Sequence, residues 1–207
     1  MGDSKEILRA RIARLRDSLS GFEAARLSRL IEERALLSAP YLEARSVALY
    51  SPTGNEVATD AIREHAQKTG KGLFYPRCAA GGELQLVPVA AGEELAPGRY
   101  GILEPTGAGV LGDADGLVVF VPGVAFDLRG NRLGRGRGWY DRALAALGAG
   151  ATSIALAYEF QMSDKIPAEA WDRKVDYIAT ERRIIDCRNS PSDSGAVGQS
   201  GNSGWPS

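Results

Sequence analysis

Gly116-Leu117-Val118-Val119-Phe120-Val121-Pro122 is a continuously apolar run. After a short connection the chain reads Asn131-Arg132-Leu133-Gly134-Arg135-Gly136-Arg137-Gly138-Trp139-Tyr140-Asp141. An apolar run without alternation is what a strand needs when both of its faces are covered, the usual condition in a parallel sheet. Beyond the glycines, Tyr140, Leu144 and Leu147 recur at helical spacing and predict a helix from about Trp139 to Leu147. Strand, glycine-rich loop and helix in that order make the repeating unit of a layered α/β protein.

The same alternation continues on both sides. Downstream, Ser153–Ala157 and Tyr177–Thr180 read as buried strands. Upstream, strands are expected at Ser46–Tyr50, Gly72–Tyr75 and Leu84–Val89, with a turn at Ser51–Asn55 and a helix from about Glu56 to Lys68 that Gly70 ends. Residues 5–19 carry Leu8, Ile12, Leu15 and Leu19 on one helical stripe. Ser20-Gly21-Phe22-Glu23 has the form of a capping box opening a second helix through about Leu37, with Pro40 as its stop. The expected architecture is one α/β domain over residues 1–188 with a mostly parallel sheet. Residues 189–207, rich in Ser, Gly and Pro, read as a disordered tail.

Bulk composition narrows the function. The chain has 207 residues, enough to bury a sizeable core. Its 25 basic and 26 acidic residues lack the overall positive balance of a nucleic-acid binder. Two cysteines, Cys78 and Cys187, are too few for a disulfide framework, and reduced thiols are expected. No apolar run reaches the roughly 18 residues of a membrane span. The charged N-terminal stretch lacks a signal-peptide core, so a cytoplasmic protein is expected. The single histidine, His65, falls in a polar helical stretch and reads as a surface residue.

The chemistry concentrates in the loop. Gly134, Gly136 and Gly138 let the backbone approach a ligand and turn N–H groups toward it, just where a helix N-terminus offers free donors to an anion. Arg132, Arg135 and Arg137 add fork-shaped donors suited to phosphate oxygens. The loop is not a Walker A motif, since no Gly-Lys-Ser/Thr follows. Composition alone fits a phosphate cradle and a flexible turn with solvated arginines equally; an RNA-binding Arg-Gly element is a third reading. Asp141, in the first helical turn, reads as a partner of the helix dipole or, beside a polyphosphate, as a magnesium ligand. Lys5 and Arg9 share a helix face, as an ordinary basic surface or as further phosphate contacts.

Taken with Tyr50-Ser51-Pro52, Glu56, Pro76-Arg77, Tyr100-Gly101-Ile102-Leu103-Glu104-Pro105, Pro122–Asp127 and Asp172–Asp176, this loop resembles the 5-formyltetrahydrofolate cyclo-ligase (5,10-methenyltetrahydrofolate synthetase) family, over Lys5 to about Ile185. The resemblance implies a three-layer αβα fold like those of phosphosugar isomerases and CoA transferases. It implies closure of 5-formyltetrahydrofolate to 5,10-methenyltetrahydrofolate with ATP and Mg2+, through a phosphorylated formyl group. By that carry-over ATP is bound by Lys5, Arg9, Arg132, Leu133, Gly134, Arg135, Gly136, Arg137, Gly138, Trp139 and Tyr140. The folate would be bound by Ser51, Glu56 and the stretch Arg135, Gly136, Arg137, Gly138, Trp139. Arg137 and Tyr140 are the expected catalytic residues, and Asp141 and Asp172 the expected metal ligands. Trp139 stands where the family often has tyrosine, and Ser51 is smaller than the apolar residue of some relatives. The implied partner is a small molecule, with neither nucleic acid nor membrane, and the expected state is a monomer. The competing expectations are a relative that binds ATP without this catalysis and an RNA-binding protein.

Overall fold

The computed structural model describes residues 4–79 and 81–189. The tail expected at 189–207 thus lies, from residue 190 on, outside the described residues. In chain order the elements are α1 (Lys5–Asp17), α2 (Gly21–Leu36), α3 (Ala39–Glu43), β1 (Ser46–Ala48), α4 (Asp60–Lys68), β2 (Gly72–Cys78), β3 (Leu84–Pro88), β4 (Ala96–Pro97), β5 (Leu103–Glu104), β6 (Leu117–Val121), β7 (Ala125–Phe126), β8 (Arg132–Leu133), α5 (Trp139–Leu147), β9 (Ala151–Leu156), β10 (Tyr177–Ala179) and β11 (Ile184–Asp186).

Seven strands form one sheet in the order β11-β10-β9-β6-β1-β2-β3. The inner pairings are parallel, and each edge strand, β3 and β11, is antiparallel to its neighbour. Every residue of β6 is buried, the outcome the apolar run demands. Its side chains alternate between two cores. Val118 and Phe120 join Tyr41, Ile62 and Ile154 beneath α2 and α4, while Leu117, Val119 and Val121 meet Leu144 and Leu147 of α5 on the opposite face. Helices on both faces make the three-layer α/β fold. A third cluster seats Leu8 and Ile12 of α1 on Val124, Ala125 and Leu133 of the β7–β8 hairpin. That contact carries α1 to the carboxyl end of β6.

The Ser20 capping box forms as its spacing requires, with Ser20 Oγ accepting from Glu23 N–H and Glu23 Oε2 from Ser20 N–H, both at 3.2 Å. Several boundaries differ from the sequence reading, β2 running on to Cys78 among them. The second helix ends at Leu36, and Pro40 opens the short α3 at its first turn, where proline's missing N–H costs nothing. Strand β1 stops at Ala48. The helix expected from Glu56 begins at Asp60. Glu56 instead folds back on a turn: its Oε2 accepts from Thr53 N–H at 3.0 Å and its own N–H bonds Thr53 O at 3.3 Å. Asn55 is tied to the carbonyls of Arg16 and Leu19, both at 3.0 Å. Side-chain bonds to the local backbone compete with helix formation, and here they win.

Candidate active site

Ligand crevices in open α/β sheets lie beyond the carboxyl ends of the strands. Here a cleft of about 1270 Å³ opens there, its floor made by Tyr50 and Ser51 after β1, Pro76 and Cys78 of β2, and Pro122 and Gly123 after β6. Among the residues lining it are all of the sequence-predicted positions: Lys5, Arg9, Ser51, Glu56, the loop from Arg132 to Asp141, and Asp172.

The loop is anchored at its base. Asp127 is fully buried, and its carboxylate accepts from the N–H groups of Arg129, Asn131 and Ile166 and from Asn131 Nδ2, at 2.9–3.0 Å. Gly130 has φ +79°, and a Cβ there would lie 2.3 Å from Val175 O, so no side chain fits. From that base Arg132 turns inward. Its side chain is only 4% exposed, and Nη2 bonds Asp141 Oδ1 at 3.0 Å. Its Nε is buried with no hydrogen-bond partner. Arg9 Nε donates to Gly134 O at 3.0 Å and so ties α1 to the loop.

Further along, Arg135 Nη2 reaches across the cleft to Thr53 Oγ1 at 2.6 Å and Glu56 Oε1 at 2.7 Å. The Arg137 guanidinium lies 4.2 Å from the ring centre of Tyr100 and 5.0 Å from that of Trp139. Gly138, at φ +61°, is the N-cap of α5 and offers no side-chain cap. The first N–H groups of the helix are therefore left to whatever occupies the cleft.

Lys5 Nζ lies 2.8 Å from Glu169 Oε1 and 3.6 Å from Asp172 Oδ2. The hydrogen bond it donates to Glu169 is the first cause raising its pKa. Asp141 also accepts from Arg173 N–H at 3.2 Å, and Asp172 from Glu169 N–H at 2.9 Å. Each expected metal ligand is thus paired with an expected phosphate-binding cation. Among the described residues no group of three or more His, Cys, Asp or Glu is gathered as a metal cage.

Burial holds the Tyr140 hydroxyl well above the ordinary tyrosine range, with Glu56 adding to the effect and Arg132 opposing it. It remains a protonated donor at neutral pH. Ser51 Oγ donates to Leu103 O at 2.7 Å, fastening β1's end to β5. Cys78 also lines the cleft, half-buried rather than fully covered. Cys187 is buried, its thiol pushed up to about 12 by desolvation. His65 is half-buried rather than fully on the surface. Its Nδ1 is 2.8 Å from Tyr41 Oη, and it is not among the cleft-lining residues.

Three contributors escaped the sequence reading. Tyr100 stands at φ +63°, a conformation rare for a non-glycine residue. Arg16, from α1, places Nη1 3.7 Å from Glu56 Oε1. Glu169 holds Lys5. None of the three sits in a recognisable local pattern; Tyr100 falls within the family-like stretch Tyr100–Pro105 but carries no signal of its own.

The family model described as "5-formyltetrahydrofolate cyclo-ligase family" matches residues 1–181. The 5-formyltetrahydrofolate cyclo-ligase of Mus musculus is 30% identical over 193 residues, covering 87% of this chain and 95% of the relative. That of Mycolicibacterium smegmatis is 32% identical over 190 residues, covering 88% and 96%. The solved structure of Aquifex aeolicus 5,10-methenyltetrahydrofolate synthetase superposes with a TM-score of 0.78 at 34% identity, covering 91% of this chain and 95% of the other. The anchored arginine loop, the cleft at the strand ends and these likenesses agree: the chain belongs to the 5-formyltetrahydrofolate cyclo-ligase family.

Proposed function

We propose that the protein closes 5-formyltetrahydrofolate to 5,10-methenyltetrahydrofolate, using ATP and Mg2+ and releasing ADP and phosphate. The observation that carries this reading is the lining of one cleft, which gathers the cations Lys5, Arg9 and Arg132, the glycine loop, the rings of Tyr100 and Trp139, and Glu56. The relatives' names supply the folate; the cations and the uncapped helix start support the nucleotide.

The N5-formyl group is an amide, and its carbon is a poor electrophile. Its oxygen takes the γ-phosphoryl group, the bond to ADP breaks, and an iminium phosphate forms. N10 then bonds to the formyl carbon and loses its proton, and the carbon–oxygen bond breaks as phosphate leaves. Such a transfer needs positioning and charge neutralisation more than a strong base. Arg137 and Tyr140 are our candidates for the catalytic residues. Arg137 would neutralise the moving phosphoryl charge, and the protonated Tyr140 would donate a hydrogen bond to the formyl oxygen or a phosphate oxygen. Lys5, Arg9, Arg132, Leu133 and the backbone from Gly134 to Gly138 would bind ATP. Ser51, Glu56 and Trp139 would hold the folate.

Mg2+ fits the donors present. It is commonly held by one or two carboxylates, with substrate phosphates and water completing the shell. Asp141 and Asp172 line the cleft beside the cations, and the ion would neutralise phosphate charge there. We further read the protein as a cytoplasmic monomer acting on free small molecules, with no nucleic-acid ligand.

Purified protein mixed with 5-formyltetrahydrofolate, ATP and Mg2+ is expected to show a rise in methenyl-folate absorbance that stops when ATP or Mg2+ is left out. No rise with folded, ATP-binding protein rejects the reading in favour of a family member with a different task. RNA affinity falling steeply with salt would point to a nucleic-acid ligand instead.

A further inference from the structure

The Glu56 carboxylate, only 11% exposed, is already engaged on both oxygens. Oε2 accepts from Thr53 N–H at 3.0 Å and from Thr53 Oγ1 at 3.2 Å. Oε1 accepts from Arg135 Nη2 at 2.7 Å and faces Arg16 Nη1 at 3.7 Å. A carboxylate offers about four acceptor positions. Three are taken by hydrogen bonds and the Arg16 charge faces the rest, so a folate ring N–H approaching Oε1 competes with Arg135 for it.

The four contacts differ in freedom. The Thr53 donors belong to the turn that Glu56 itself closes. Arg16 has a side chain only 14% exposed, and its own carbonyl is bonded to Asn55 of that turn. Arg135 is 54% exposed and is carried on the glycine loop, between Gly134 and Gly136, the latter at φ +93°. Of the four it is the one able to swing away. The loop that carries it is the same one that would receive the ATP phosphates. A phosphate there offers the guanidinium two oxygens and more negative charge than a single carboxylate oxygen.

We propose that Arg135 couples the two substrates. In the free protein it occupies Glu56; phosphate at the loop draws it off, and the vacated Oε1 then accepts the folate ring, with Arg16 left as the fixed cation that keeps Glu56 aimed. ATP binding thus prepares the folate end. This inference rests on the proposed function for the identity of its ligands, and adds an order and a coupling that the reaction alone does not require.

The test is calorimetric titration of 5-formyltetrahydrofolate into the full chain, with and without a saturating non-hydrolysable ATP analogue and Mg2+, for wild type and Arg135→Ala. Folding of the variant is checked by its melting curve. Couplings between sites usually amount to about 5- to 150-fold. In wild type the analogue is expected to tighten folate binding about tenfold, and by linkage folate tightens the analogue by the same factor. In Arg135→Ala folate alone should bind several-fold tighter than to wild type, and the coupling should fall to within about twofold. That sign separates exchange from support: a merely structural Arg135 would give weaker folate binding when removed. Coupling within twofold in wild type, or weaker folate binding by Arg135→Ala alone, overturns the proposal while leaving the cyclo-ligase reading intact. Wild type that binds neither ligand overturns both.

Discussion

At the α1 end of the cleft, cations are held by carboxylates: Lys5 by Glu169 and Asp172, Arg132 by Asp141. At the Tyr100 end, Arg137 is held by the faces of two rings. The first arrangement is a set of ion pairs that phosphate and a divalent cation could trade partners with, oxygens for Lys5 and Arg132 and metal for the two aspartates. The second is a stack whose strength, about 0.5–2 kcal/mol per contact, owes little to long-range charge. One end is thus suited to a highly charged ligand and the other to a flat, weakly charged one. Tyr100's positive φ, a strain of about 1–3 kcal/mol, is consistent with a ring held in place for a ligand.

The largest effect should come from breaking the charged end. Asp141→Ala leaves the nearly buried Arg132 without its anion and removes an expected metal ligand. Activity should fall by about 100-fold or more, while far-ultraviolet circular dichroism shows the domain still folded. Full activity in this variant would remove the metal-ligand role. Breaking the other end is expected to cost less. Arg137→Ala should raise the KM for folate about tenfold and lower kcat as well, with the Kd of ATP moving less. Equal losses for both ligands would mean that the two ends are not distinct.

Salt sharpens the same contrast without mutation. Raising ionic strength from about 0.05 to 0.5 M shortens the screening length to a few ångströms. The Kd of ATP should weaken several-fold and that of folate by less than about twofold. Parallel weakening of both would contradict the assignment of ends.

The smallest effect on the cleft should come from Glu32→Gln, outside it on α2. Burial pushes this carboxyl up to about 7, against the pull of N–H groups from Ala61 and Ile62, from an ordinary value of 4.5. The folded state therefore keeps a proton that the unfolded chain releases. Its contribution is full below about pH 4.5 and is lost as pH rises through about 7. A shift of that size is worth at most about 3 kcal/mol, and partial solvent contact reduces it to about 1–2 kcal/mol. Glu32→Gln should stabilise the protein by that amount at pH 8 and far less at pH 5, measured by denaturant midpoints, with activity unchanged. The same change at both pH values would show that the carboxyl is not titrating there.

What the sequence could convey follows from range. The all-buried β6, the capping box at Ser20 and the glycine loop are local patterns, and each forms where its residues indicate. A helix start is the ordinary reading of an acid at Glu56. Glu56's hydrogen bond with Arg135 and its ion pair with Arg16 join three separate segments, and no window of sequence shows them. The edge strand β11 is three residues long with two of them half-buried, too short for an alternating signal. The pairings Lys5–Glu169 and Arg132–Asp141 depend on where α1 and the loop dock, which the core cluster around Leu8 and Leu133 decides. That is why the residues of the cleft were legible while their partners were not.

The central claim is that one cleft brings the γ-phosphoryl group of ATP onto the formyl oxygen of the folate. The direct measurement uses 5-formyltetrahydrofolate carrying 18O in its formyl group, with mass spectrometry of the products. The account predicts one 18O atom in each phosphate released, in step with methenyl-folate formation. Label recovered in water, with unlabelled phosphate, would contradict it.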